Sequence, residues 1–319
     1  MTWLTNLDPR LTAAIISAIV ALIVAMITAL LAPTVKYGLD MRLERRKLEL
    51  SYRAEQSKAL RDHIGFHKGA ILGAADELAV RLGNYQATPD APTWLQNKRG
   101  YYARSFAFRI LANWAAIERF NRQAVYIDAR VATRPDWTFL KAAKLNLDAW
   151  SAVRLFDGLG YSGFETSDHF FRGQITTFVD SLTYPGSDRS RTWGEFGKAL
   201  DEGSGDFDEL FNFLSGLDAK TSQLKYQRLM AVDLVIIATL NSFGYDYQRK
   251  PPERIREISA RCCPEVRANL RQMMVDLNLE KEQGFRELAK VLKEGPIASR
   301  STSGGTDLAI PPVGTNPDK

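Results

Sequence analysis

The chain has 319 residues, 45% apolar and 25% charged, an ordinary globular balance that excludes wholesale disorder. Its 42 basic and 37 acidic residues leave a net charge of +5, too small and too dispersed for a dedicated nucleic-acid binder. The two cysteines, Cys262 and Cys263, are adjacent, which excludes a disulfide framework and any zinc-binding cysteine spacing.

Residues 1–10 offer a single basic side chain, Arg10, and read as a short extracytoplasmic N-terminus. Residues 11–31, LTAAIISAIVALIVAMITALL, follow without a charge and with only Thr12, Ser17 and Thr28 polar. At about 1.5 Å per residue a helix of this length matches the roughly 30 Å hydrocarbon core of a bilayer. A signal peptide has a shorter apolar region behind several basic residues, so the stretch reads as a retained transmembrane helix. Trp3 and Tyr37 flank it at interfacial positions, and Pro33 offers a place for the helix to break. Lys36, Arg42, Arg45, Arg46 and Lys47 follow the span, against one basic residue before it. The positive-inside rule therefore places the C-terminal side in the cytoplasm of a single-pass protein of the cell (inner or plasma) membrane. Ala13, Ser17, Ala21, Ala25 and Ala29 recur every fourth residue, a small-residue ridge suited to helix–helix packing in lipid or simply to lipid contact.

Residues 35–84 continue as a proline-free juxtamembrane stalk helix that packs into the domain beyond it. Leu39, Leu43, Leu50, Leu60, Ile64, Ile71, Leu78 and Leu82 keep helical steps, but Arg46, Arg53 and Ser57 interrupt them, too polar a seam for a strong coiled coil. The opening basic cluster suits anionic headgroups at about 1 kcal/mol per residue, or a solvated face equally well. Gly65, Gly69 and Gly73 each cost about 1 kcal/mol against Ala, and a close helix crossing is the expected compensation.

Residues 86–294 read as an all-α cytosolic domain. A two-proline loop at 86–97 precedes an aromatic, basic helix over 99–127, and Asp136 is placed to cap the next helix. Ser167 is placed to cap a helix carrying Phe171, Ile175, Phe178 and Leu182, and short helices follow near 193–200 and 206–217. The run LMAVDLVIIATL within 221–243 is too short and too polar, with Asp233 inside, to span a bilayer, so it predicts a central buried helix. Pro251–Pro252 and Pro264 start two closing helices, the last running to Glu294. No segment alternates as a strand, and the tail 295–319, rich in Ser, Thr, Gly and Pro, is expected to be disordered. The fold class is thus all-α: a transmembrane helix, a stalk, a multi-helix bundle and a tail.

Chemistry is sparsely signposted. His63 and His67 stand four apart on one helix face, and His169 beside Asp168 would complete a metal set if the segments converged. No HExxH glutamate intervenes, and His67 shares the apolar face with Ile64 and Ile71, so packed histidines are the preferred reading and no metal or cofactor is assigned. Asp233 on its apolar helix needs a partner, with Arg109, Arg119, Arg122 and Arg154 as candidates for a structural ion pair. The aromatics of 99–127 follow a core-facing period, which argues against base stacking and leaves nucleic acid an improbable partner. The sequence points first to a membrane-anchored interaction or scaffold module, self-associating through its span and holding a protein partner. The alternatives are an oligomerising membrane-acting effector or sensor, and a tethered enzyme with a site around Asp233 or His67 and His169.

Overall fold

The computed structural model describes residues 8–88, 90–98, 100–124, 132–163, 168–187, 189–203, 205–220 and 223–294. Among these the chain is helical, with no strand and one isolated antiparallel bridge, Thr183–Ser190. The helices are α1 (Pro9–Ala87), α2 (Ala91–Gln96), α3 (Tyr101–Ala124), α4 (Arg134–Ser151), α5 (Arg172–Leu182), α6 (Trp193–Asp201), α7 (Asp208–Ser215), α8 (Gln223–Phe243), α9 (Pro252–Arg261), α10 (Pro264–Asp276) and α11 (Gln283–Glu294). They form two compact units, Met1–Lys68 with Arg119–Trp137, and Gly69–Glu118 with Thr138–Lys319. The expected disordered tail, the outermost N-terminal residues and the Ser167 cap lie outside the described residues.

The first unit contains most of α1. Asp8 starts the helix: its carboxylate accepts from the Arg10 N–H at 3.0 Å and its carbonyl from the Leu11 N–H at 2.9 Å, satisfying donors that a helix start leaves orphaned. The helical backbone runs on through Pro33, which forfeits one backbone hydrogen bond in a helix of 79 residues instead of ending it. Over 11–31 the helix is long and apolar enough to cross a membrane, and none of its most apolar window is buried among the described residues. Thr28 returns its hydroxyl to the Val24 carbonyl at 2.8 Å, which leaves no free donor on that side chain. Further on, Leu60, Ile64 and His67 turn inward. At α4 Asp136 lies three residues into the capping motif: the Thr133 N–H and hydroxyl donate to its carboxylate at 2.9 and 2.6 Å.

The second unit is organised on α8, whose residues from Arg228 to Asn241 are all buried, as the apolar run requires. It packs against α9, α10 and α11. Trp114 of α3 meets Trp150 of α4 edge-on at 5.3 Å and Phe170 at 5.1 Å, and Phe213 of α7 closes on Phe170 at 5.0 Å. The loop expected at 86–97 contains α2, which tolerates Pro92 because proline lacks only a donor that the first turn would not use. Helix α5 begins at Arg172, where Gln174 accepts the Phe171 N–H at 2.8 Å, so Phe171 stands outside the helix and is exposed.

Beyond Pro264 the sequence suggested one helix to Glu294, and the structure divides it. Asn278 takes φ 54°, the Leu279 N–H reaches the Met274 carbonyl at 3.0 Å, and the Asn278 N–H reaches Val275 at 2.8 Å. This is a left-handed helix stop with asparagine where glycine is more usual. The turn it makes brings α11 back onto α8. There Gly284 is indispensable: a Cβ on it would stand 2.8 Å from Asn241 Cβ and from Ser242 Oγ, and closer still to the Ala238 carbonyl oxygen.

Candidate functional site

The apolar stretch of α1 carries the small-residue ridge expected from the sequence. Ala13, Ser17, Ala21, Ala25 and Ala29 are exposed, as are Leu22, Leu30 and the other large side chains around them. Lys36, Arg42, Arg45, Arg46 and Lys47 are exposed on the continuing helix. At about 1.5 Å per residue Lys36 stands roughly 8 Å beyond Leu31, and Lys47 roughly 24 Å. Headgroups extend only about 5–8 Å past the hydrocarbon on each side. Were the helix to cross a bilayer upright at 11–31, Lys36 alone would stand at headgroup depth and Arg42 to Lys47 would lie beyond it.

No described residue makes the close crossing expected at Gly65, Gly69 and Gly73. A Cβ on any of the three meets nothing within 4 Å among the described residues. Their spacing suggested a packing seam because helical glycine is costly. A close approach that needs glycine occurs instead at Gly284, which no repeat pattern marks.

The histidines are engaged separately. In the first unit His63 Nε2 pairs with the Phe120 carbonyl at 3.0 Å, its ring stacked on Phe120 at 5.0 Å, and His67 Nε2 pairs with Gln123 Oε1 at 2.8 Å. Burial pushes the His63 pKa below its usual value; the bond to the Phe120 carbonyl opposes this and the adjacent His67 adds to it. The neutral ring therefore donates to that carbonyl. In the second unit His169 Nδ1 is bonded to the Tyr161 hydroxyl. No group of three His, Cys, Asp or Glu side chains with metal-binding geometry occurs among the described residues.

Asp233 is 1% exposed, but its partners are not the arginines that the sequence offered. Gln86 Nε2, from the last turn of α1, donates to Oδ2 at 2.7 Å, and Arg254 of α9 approaches the same oxygen at 3.5 Å. The Gln86 side-chain oxygen accepts from Arg254 at 2.9 Å, closing a three-residue ring. Arg154 instead pairs with Asp276 at 2.7 Å and Arg109 turns back on Ser105. Burial pushes the Asp233 carboxyl up to about 6, against the pull of Arg254, Gln86, Lys250 and Arg261. The α8–α9 hairpin, set by Pro251 and Pro252, supplies Arg254 from a helix too polar to be singled out as a core neighbour.

Sequence reasoning missed Arg228. Its guanidinium is fully buried and donates to the carbonyls of Asp168 at 2.6 Å, Ala149 at 2.9 Å and Ala152 at 3.3 Å, over the Phe156 ring at 4.5 Å. These carbonyls include those left open where α4 ends, so the arginine staples that end to the 168–171 segment. Burial lowers its pKa to about 9, so it stays cationic at neutral pH. The signal was available: an arginine opening the most apolar run of the domain. Cys262 is buried with its thiol pushed up to about 12, which makes it a poor nucleophile.

No protein-family model, no curated protein and no solved structure matches this chain.

Proposed function

We propose that the protein is a single-pass, membrane-anchored interaction module, with its N-terminus outside and its helical domain in the cytoplasm. The observation that carries the reading is the uncharged stretch 11–31: it lies on a helix long enough to span, and no described residue covers its most apolar window. In water that surface would drive aggregation, whereas in lipid it is the anchor. The excess of basic residues after the span over the single one before it supports the orientation. The ridge from Ala13 to Ala29 is the surface through which copies self-associate, because small side chains let helix backbones approach closely in lipid.

The test is in-membrane cross-linking of full-length protein carrying single cysteines on the ridge in a background with Cys262 and Cys263 replaced. Ala21→Ile with Ala25→Ile is expected to remove ridge-dependent dimers while the protein stays in the membrane. Undiminished cross-linking, or none in the unsubstituted ridge, refutes self-association through this face. Affinity capture of the full-length chain from solubilised membranes then identifies the partner held by the domain.

A further inference from the structure

The ring that holds the end of α1 contains an acid with half of its acceptor capacity unused. Asp233 Oδ2 takes both Gln86 and Arg254, while Oδ1 is buried with no hydrogen-bond partner among the described residues. The groups facing the ring come from every element packed around it. Helix α1 contributes Gln86 and, through its ion pair with Lys250 at 2.7 Å, Asp76; the segment before α9 contributes Lys250 itself. Helix α9 contributes Arg254, with Glu257 at 3.7 Å on its other side, and Arg261, whose Nη1 reaches the Gln86 backbone carbonyl at 3.5 Å. The Cys262 thiol follows. The Arg254 guanidinium lies along α1 at Gly83, where a Cβ would stand in ordinary contact with Nη2 at 3.7 Å.

We propose that the Gln86–Asp233–Arg254 ring is a proton-operated clasp, gripping the C-terminal end of α1 more tightly as pH falls. A proton on Oδ1 removes the buried negative charge and leaves Oδ2 free to accept from Gln86 as before. The ionised form keeps the same bonds but strands one anionic oxygen out of water. The sign follows from the raised pKa: clasp stability is fully present below the ordinary carboxyl value of 3.8 and is lost as pH rises through about 6. The clasp thus couples proton activity to the seating of the last turns of α1 on α8 and α9.

Hydrogen exchange of full-length detergent-solubilised protein tests this at the amides of Gly83–Ala87, corrected for intrinsic rates. Protection is expected to be about tenfold greater at about pH 5 than at about pH 7.5. Asp233→Asn keeps an acceptor for Gln86 without a titrating group and is expected to abolish the pH dependence. Asp76→Asn, which leaves the ring intact, is expected to retain it. Wild-type protection that does not change with pH overturns the proposal without recourse to any variant, as does a pH response that persists in Asp233→Asn.

Discussion

Glycine-to-alanine substitutions on α11 and on α1 are predicted to act with opposite sign. At Gly284 an added methyl meets Asn241 Cβ and Ser242 Oγ at 2.8 Å and the Ala238 carbonyl more closely still. Ordinary carbon contacts lie near 3.5–4.0 Å, so α11 must retreat from α8 by roughly 1 Å, at about 1–3 kcal/mol for overpacking. The retreat also strains the Gly284 N–H bond to Ser242 Oγ, now 3.1 Å. Gly69→Ala and Gly73→Ala meet nothing within 4 Å and lie inside a continuous helix, so each gains about 1 kcal/mol of helix propensity. Urea titrations of the full-length protein in mild detergent, followed by far-ultraviolet circular dichroism, read both effects. Gly284→Ala should lower the midpoint and the α1 double variant should raise it. A stable Gly284→Ala would refute the close α8–α11 approach. A destabilised Gly69→Ala/Gly73→Ala variant would refute the reading of that face as open and would place a further copy or partner on it.

Three further outcomes are expected. Arg228→Met leaves the carbonyls of Ala149, Ala152 and Asp168 without their donor and should cost about 2–5 kcal/mol, with Arg228→Lys between it and wild type, by urea midpoint. Asn278→Gly should be close to neutral, whereas Asn278→Val, forced to the same φ of 54°, should lose about 1–3 kcal/mol in the same titration. His63 contributes stability that is present above its unfolded value of 6.5 and lost as pH falls from there through its lowered folded value. Asp233 acts in the opposite direction, so His63→Gln should raise stability near pH 5 relative to that at pH 7.5 and Asp233→Asn should lower it, each against wild type.

The parts of the fold legible in the sequence are those set by local composition. The uncharged run of α1, the apolar run of α8, and the prolines opening α9 and α10 each act within a turn or two of themselves. Asn278 was not legible because a lone asparagine is compatible with helix until tertiary packing favours a reversal. Gly284 was not legible as a packing glycine because the energetic cost of helical glycine is local, whereas its compensation depends on which backbone arrives. Asp233 announced that it needed partners, but Gln86 and Arg254 were selected by the path of the chain. Arg228 was readable as a buried charge; only the fold showed that three backbone carbonyls, and no carboxylate bond among those described, satisfy its donors.

The most direct measurement is protease protection of a C-terminal tag in carbonate-washed membrane vesicles of both orientations. The chain is expected to stay in the membrane pellet, with the tag cleaved in inside-out vesicles and shielded in right-side-out ones. Release of the intact chain by carbonate would contradict the anchor, and the reverse cleavage pattern would contradict its orientation.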